Sequence, residues 1–299
     1  MNCQNPGKVC DGLWYLGRPE SGVYLLEGRN GSMIISGGMS YLVPDLLHQF
    51  DEFGLREDRI QGIIILHAHF DHIGIVPFFR RRNPGLKIYA SARAWQILSE
   101  SKNINTINQF SGRLTERMKI KVPYAADQLD WPPGLSGDTI SEGDVIDLGN
   151  REIQIFETPG HSSCSISVYV PQIRALFPSD GGGIPYKGTI IASANSNFTL
   201  YLESLKKMEM LQIDYFCADH FGYIYGNEAK SYISSSIDLA IKERARLEDI
   251  YRRSLDIDVA AREMASSFIK ANPDYFLTLE IYEGVCRQMM RHIAKTMSQ

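Results

Sequence analysis

The chain has 299 residues, of which 44% are hydrophobic and 22% are charged. This is the composition of a globular protein with a sizeable core, and it excludes disordered, collagen-like and disulfide-knot proteins. The 31 basic and 35 acidic residues are interspersed and give a formal charge of −4, so no basic patch predicts binding to nucleic acid or to a membrane surface. The longest apolar runs are too short to span a bilayer, and residues 1–8 lack the apolar stretch of a secretory signal.

The cysteine content indicates a reducing compartment. The five cysteines are odd in number and include no C-x-x-C pair. A disulfide framework or a zinc ribbon is therefore not expected, and we predict reduced thiols in the cytoplasm. Cys164 follows His161 by three residues, but no sequence feature indicates an activated thiol there, and the chain has no G-x-S-x-G motif.

The first half of the chain reads as alternating strands and helices. Pro44 suits the first turn of a helix, and Gly54 marks the end of that helix. The run at 62–66 is rich in isoleucine, as in a strand that is buried on both faces. Other short runs between turn formers predict strands at 22–27, 32–36 and 87–90. This order of elements predicts an α/β domain.

The second half changes character near residue 227. Before that point, the patterns predict a helix at 91–118, a hairpin at 144–156, strands at 166–170, 174–177 and 215–218, and a helix at 199–211. After it, strand signals nearly vanish, and two of the predicted helices cover 257–269 and 279–297. We therefore expect a body of residues 1–226 and an all-helical extension of residues 227–299.

A cluster of histidines follows the predicted buried strand. Three of the seven histidines of the chain lie in the segment His67-Ala68-His69-Phe70-Asp71-His72. In an extended stretch alternate side chains share a face, so His67 and His69 can reach one metal ion. A turn after His69 would direct Asp71 and His72 to a second position nearby. Imidazole and carboxylate are ligands that suit zinc or non-haem iron, and the lack of a cysteine ligand argues against a closed structural zinc site.

Three further candidates lie where predicted strands give way to loops. His161 follows Thr158-Pro159-Gly160, Asp180 follows the strand at 174–177, and His220 follows the strand at 215–218. Loops at strand ends are where α/β folds place their functional side chains. His48 and His292 lie on predicted helices and are not expected to be ligands.

The H-A-H-F-D-H segment, the T-P-G-H-S segment, Asp180 and the late His220 together resemble the metallo-β-lactamase superfamily. The resemblance covers roughly residues 12–226 and implies an αββα sandwich, in which two mixed sheets pack face to face between outer helices. It also implies two divalent metal ions, zinc or iron. Carried over by position, it implies ligation of one ion by His67, His69 and His161, ligation of the other by Asp71, His72 and His220, and bridging of both ions by Asp180.

A more detailed resemblance extends over nearly the whole chain. The chain resembles proteins of the quinolone-signal response type in residues 66–78, Tyr201-Leu202-Glu203-Ser204-Leu205 and Phe276-Leu277-Thr278-Leu279-Glu280. Proteins of this type are 2-aminobenzoylacetyl-CoA thioesterases with a helical appendage beside the metal site. One departure concerns the loop after the second strand. This loop reads Ile35-Ser36-Gly37-Gly38 where the superfamily often has an aspartate, so a support of the metal ligands is expected to be lost.

The expected reaction is hydrolysis of a small acyl ester or thioester by a metal-bound hydroxide. Asp71 and Tyr223 are the candidate catalytic residues, and Tyr223 or Tyr225 would donate a hydrogen bond to the developing oxyanion. A lactonase or a phosphodiesterase would use the same metals. A regulatory protein that binds a partner through the extension, with hydrolysis secondary, is a further alternative.

The extension carries an apolar stripe along its last predicted helix. Ile281, Val285, Met289, His292 and Ile293 recur at spacings of three and four residues, and such a stripe must pack against something. A second stripe, in the segment 101–131, consists of Ile104, Ile107, Phe110 and Leu114 at helical spacing. We expect the two stripes to form an apolar entrance to the metal site; packing on the body or a homodimer contact are the alternatives.

Overall fold

The structure is a computed structural model and describes residues 2–298. Its strands are β1 (Asn2–Cys3), β2 (Gly7–Cys10), β3 (Leu13–Arg18), β4 (Ser21–Glu27), β5 (Ser32–Ile35), β6 (Ile60–Ile64), β7 (Lys87–Ala90), β8 (Asp138–Thr139), β9 (Val145–Asp147), β10 (Glu152–Glu157), β11 (Ile166–Val170), β12 (Ala175–Phe177), β13 (Ile184–Tyr186), β14 (Thr189–Ile191), β15 (Tyr215–Cys217) and β16 (Tyr223–Tyr225). Its α-helices are α1 (Val43–Glu52), α2 (Val76–Arg82), α3 (Ala92–Ser99), α4 (Ser101–Met118), α5 (Ala126–Leu129), α6 (Phe198–Glu209), α7 (Asn227–Ser254), α8 (Ile257–Ala271) and α9 (Leu279–Met297).

Two mixed sheets of seven strands form the centre of the fold. The first has the order β2-β3-β4-β5-β6-β7-β8, and the second has the order β1-β16-β15-β12-β11-β10-β9. In the first sheet, β5, β6, β7 and β8 run parallel, whereas β2 to β5 form an antiparallel meander. The hairpin of β13 and β14 stands apart from both sheets.

The alternation of side chains along the strands builds two hydrophobic clusters. In β4, Tyr24 and Leu26 belong to the cluster between the sheets, whereas Val23 and Leu25 belong to the cluster beneath the outer helices. Strands that are buried on both faces are mostly apolar, and β4 and β6 accordingly consist mainly of apolar residues. The expected metallo-β-lactamase αββα sandwich, with C-terminal helices added to it, is confirmed.

Most element boundaries differ from the prediction by one or two residues, and two of the differences change the description of the fold. The helix expected over 91–118 is two helices, because the backbone of Glu100 is extended (ψ 121°) between α3 and α4. The strand expected at 62–66 begins at Ile60 and ends at Ile64, which leaves two more residues for the approach to His67.

The C-terminal helices pack on the body and on one another. Helix α7 contacts α6, β14, β15 and β16, whereas α8 and α9 pair with each other and both contact α7. Residues 227–298 contribute no strand to either sheet. None of the helices within residues 2–298 combines the length and the apolar character that a membrane span requires.

Candidate metal centre

The predicted ligands come from loops at one edge of the sandwich. After β6 the chain stays extended through His69 (φ −74°, ψ 150°) and then makes a 3-10 turn over Phe70–His72. This change of backbone directs Asp71 and His72 to a second ligand position, while the ring centroids of His67 and His72 stay 4.1 Å apart. His161 lies between β10 and β11, and Gly160 before it has a φ of +135° and a backbone so close to Tyr201 that a Cβ would lie 2.3 Å from Tyr201 N. Only glycine fits there, so that position fixes the approach of His161.

Three imidazoles form the first group of ligand atoms. His67 Nε2 lies 3.0 Å from His69 Nδ1, and His161 Nε2 lies 3.2 Å from His67 Nε2 and 3.0 Å from His69 Nδ1. Nitrogens that bind zinc tetrahedrally at 2.0–2.1 Å lie about 3.3 Å apart. The triangle therefore has the size that a metal ion needs.

A second group lies beside the first. His72 Nε2 is 3.2 Å from His220 Nε2, and Asp71 Oδ2 is 3.7 Å from the former and 3.6 Å from the latter. Two nitrogens and one carboxylate oxygen make a ligand set that suits zinc or iron.

Asp180 stands between the two groups. Its Oδ2 lies 3.5 Å from His161 Nε2 and 3.4 Å from His72 Nε2, and its Oδ1 lies 3.6 Å from His220 Nε2. The carboxylate thus faces ligands of both groups, as a bridging ligand must. The structure brings all seven predicted ligands together, and their atoms form compact clusters that could hold metal ions.

Burial prepares the first three imidazoles for metal binding. It lowers the pKa of His67 and His161, and it lowers the pKa of His69 to about 3. These rings are therefore neutral at pH 7 and offer a lone pair to a metal. At Asp180, burial alone would raise the pKa, but the neighbouring His72, His220 and His161 outweigh it and hold the pKa well below the usual range.

The ring nitrogens that point away from the centre have fixed partners. His161 Nδ1 donates to the carbonyl oxygen of Ser193, and His220 Nδ1 donates to that of Glu20, both at 2.7 Å. His67 Nδ1 lies 3.1 Å from Ser179 Oγ. Such bonds fix the tautomer in which Nε2 is free to bind a metal.

Asp219 is a functional residue that sequence reasoning missed. Its Oδ2 accepts hydrogen bonds from His72 Nδ1 at 2.7 Å, Ser36 Oγ at 2.9 Å and Ser179 Oγ at 2.6 Å. Ser36 occupies the place where the superfamily often has an aspartate, so the support expected to be lost is supplied by Asp219 from another loop. The available signal was an acidic residue directly before the predicted ligand His220.

The role predicted for Tyr223 does not fit its position. Because β16 pairs with β15 and side chains alternate, Tyr223 points into the core between the sheets, where its ring centroid lies 6.0 Å from that of Tyr15. Neither Tyr223 nor Tyr225 is among the described residues that line the cavity at the metal centre.

A cavity of about 1010 Å³ opens at the metal centre, where it is lined by His69, Asp71, His161, Asp180 and His220. Its walls are largely apolar and come from the body and from the C-terminal helices. Both predicted stripes contribute: the lining includes Ile107 and Phe110 from the segment 101–131, and Ile281, Val285 and Met289 from the last helix. Ile104, Leu114 and Ile293, which belong to the same stripes, do not line the cavity and are buried in the core.

Comparison with known proteins agrees with this geometry. The sequence profile of the Metallo-beta-lactamase superfamily matches residues 17–220, which include every residue of the candidate centre. The chain belongs to the metallo-beta-lactamase superfamily. Membership supports a metal-dependent hydrolase, and the clusters of histidine and aspartate agree with it.

Individual relatives are distant. The chain is 22% identical over 187 residues to a metallo-beta-lactamase fold-containing protein of Sulfurisphaera tokodaii, covering 62% of this chain and 66% of the relative. It is 25% identical over 228 residues to the acyl-coenzyme A thioesterase MBLAC2 of Gallus gallus, covering 72% of this chain and 78% of that protein. A metallo-beta-lactamase family protein of Thermus thermophilus superposes with a TM-score of 0.66 at 19% identity, over 95% of this chain and 94% of that chain, and shows the shared fold.

Proposed function

We propose that this protein hydrolyses acyl thioesters with two divalent metal ions, zinc or iron, held by His67, His69, Asp71, His72, His161, Asp180 and His220. The observation that carries the proposal is the clustering of these seven side chains beside a large apolar cavity, which five of them line. When bound, the metals lower the pKa of a water and polarise the acyl oxygen. Hydrolysis of an ester or thioester uses both effects, so no serine or cysteine nucleophile is required.

Asp71 has two tasks in this proposal. Its Oδ2 faces His72 and His220, and the side chain also lines the cavity. It is therefore placed to accept the proton of the attacking water and to return it to the leaving thiolate. Cys164, whose pKa burial raises, is not suited to act as a nucleophile.

The apolar wall supports an acyl group as the substrate. Isoleucine, valine, methionine and phenylalanine side chains from α4, α8 and α9 surround the space beyond the metal end. Such a wall binds a hydrocarbon or aromatic acyl group and limits the water around the reacting bond. In this proposal the extension of residues 227–299 caps the active site of the body.

Cationic side chains favour coenzyme A as the leaving group over a lactone. Arg93, Lys242 and Arg246 also line the cavity. Arg246 is paired with Glu243, but Lys242 forms no ion pair with any residue within 2–298. An exposed ammonium at the cavity is suited to the phosphates of coenzyme A. The similarity to an acyl-coenzyme A thioesterase agrees with this substrate class, and the 2-aminobenzoylacetyl group stays a prediction.

A substrate panel tests the proposal. Metal-loaded protein is assayed with aliphatic and aromatic acyl-CoAs, a lactone and a phosphodiester, and we expect thiol release from the acyl-CoAs to exceed the other reactions. Preferred turnover of the lactone or the phosphodiester would refute it.

A matched pair of thioesters tests the leaving group. Lys242→Ala is expected to raise KM about threefold to tenfold for an acyl-CoA, because a charge-assisted contact is lost. It should not change KM for the same acyl group on N-acetylcysteamine, which has no phosphate. Lys230→Ala, on the same helix but away from the cavity lining, is the control. Equal effects on both thioesters would contradict the assignment.

A further inference from the structure

The loop between α8 and α9, residues 272–278, delivers aromatic side chains to the metal end of the cavity. The Phe276 ring lies 4.9 Å from the His220 ring, centroid to centroid, at an interplanar angle of 30°. Tyr275, Phe276 and Leu277 all line the cavity. The C-terminal extension therefore contacts the candidate metal centre directly.

Tyr275 is held rigidly in this loop. Its ring centroid lies 5.2 Å from that of Tyr186, 4.9 Å from that of Phe268 and 4.9 Å from that of Phe276. Only 3% of the residue is exposed. A ring enclosed in this way has one orientation, so its hydroxyl is held at one place.

The hydroxyl of Tyr275 has no partner in residues 2–298, yet it is not sealed in the core. No hydrogen bond forms to it, and it is absent from the fully buried side-chain oxygens without a partner, a group that does include the hydroxyls of Tyr186 and Tyr201. Tyr275 lines the cavity, and we infer that its accessible hydroxyl oxygen opens into that space.

The surroundings of this phenol keep it protonated. Burial, followed by the proximity of Tyr282 and of the carboxylates of Asp180 and Asp71, holds the pKa of Tyr275 well above its ordinary value. A protonated phenol that has no partner in the protein can donate a hydrogen bond to a bound ligand.

We propose that Tyr275 donates a hydrogen bond to the acyl oxygen of the bound thioester and to the carboxylate of the acid product. The proposal rests on the proposed function of the same site. Tyr275, supplied by the extension, would thereby take the role that the sequence assigned to Tyr223, and it would bind the oxygen on which negative charge develops.

The test compares Tyr275→Phe with Tyr186→Phe in the full-length, metal-loaded protein. Each change removes one hydroxyl from the same aromatic cluster, but the hydroxyl of Tyr186 is buried and does not reach the cavity. Tyr275→Phe is expected to lower kcat/KM for an acyl-CoA about 100-fold, mainly in kcat, as for the loss of an oxyanion donor. Tyr186→Phe is expected to stay within twofold of the wild type. Metal content should be two equivalents per chain in all three proteins.

Binding of hexanoate and benzoate, measured by calorimetry, separates this proposal from the proposed function. Both are acid products without a leaving group, and Tyr275→Phe should weaken their binding about 10-fold while Tyr186→Phe does not. If the wild type hydrolyses no thioester, the proposed function fails and the binding measurement alone decides the role of Tyr275. The assignment of Tyr275 is overturned if Tyr275→Phe matches the wild type in both kinetics and carboxylate binding. It is also overturned if the wild type neither hydrolyses a thioester nor binds a carboxylate.

Discussion

Replacement of Asp219 by asparagine tests how the metal ligands are held in place. The Oδ2 atom of Asp219 accepts three hydrogen bonds, from His72 Nδ1, Ser36 Oγ and Ser179 Oγ. Ser179 Oγ also lies 3.1 Å from His67 Nδ1, so one carboxylate orients ligands of both groups. Asparagine keeps an oxygen at this place but removes the charge. It also puts an amide group where Asp219 Oδ1 is buried without a partner.

The expected magnitude follows from these contacts. Hydrogen bonds to a charged group contribute about 1.5–3 kcal/mol, against about 0.5–1.5 kcal/mol for neutral pairs. The loss of charge on the bond to His72 therefore weakens metal binding by about 1–1.5 kcal/mol, which is about 5- to 13-fold. This lies at the lower end of the range of about 10- to 100-fold that is typical for the loss of a partner of a metal ligand. The loss of metal affinity should be largest for the ion that His72 would bind. It should be smaller for the ion that His67 would bind, because Asp219 contacts His67 only through Ser179.

The assay is titration of chelator-stripped protein with Zn²⁺ in competition with a chromophoric chelator. Ser36→Ala is the matched control, because it removes one donor to the same oxygen and leaves the bond from His72 intact. We expect its zinc affinities to stay within about threefold of the wild type. Wild-type affinity of Asp219→Asn at both positions would refute the positioning role.

Two further predictions concern the bridge and the cavity. Asp180→Ala should remove metal from both positions, because its carboxylate faces ligands of both groups; retention of two equivalents per chain by elemental analysis would contradict bridging. Gly284→Leu should shift acyl-CoA preference toward shorter chains about 10-fold, since Gly284 lines the cavity and a Cβ there meets no atom within 4 Å. Gly112→Leu, at an equally open helical glycine outside the cavity lining, should leave the preference unchanged.

Much of the metal centre could be predicted because its ligands follow local rules. Alternation along an extended segment placed His67 and His69 on one face, and the ends of strands indicated His161, Asp180 and His220. The hydrophobic runs likewise predicted most strands of the sandwich. Each of these sequence signals lies within a few residues of the ligand or strand that it predicts, so no knowledge of tertiary contacts was needed.

The supporting residues could not be predicted because they depend on distance in space. Ser36, Ser179 and Asp219 come from three separate loops and meet only when the sheets pack. The same reason explains why the sequence indicated Tyr223 as the hydrogen-bond donor, whereas our proposal assigns this role to Tyr275. Tyr223 is close to His220 in sequence but alternates into the core, whereas Tyr275 is remote in sequence and reaches the metal end through the packing of α8 and α9.

The central claim is that two metal ions in this site hydrolyse a thioester. Its most direct test measures thiol release from hexanoyl-CoA by the same protein in three states. These are the protein with two metal equivalents bound, the protein after a chelator has removed the metal, and the protein after metal has been added back. We expect turnover with metal, none without it, and recovery on addition of zinc or iron. Turnover that persists in the metal-free protein, or a fully loaded protein that releases no thiol from any acyl-CoA, would contradict the account.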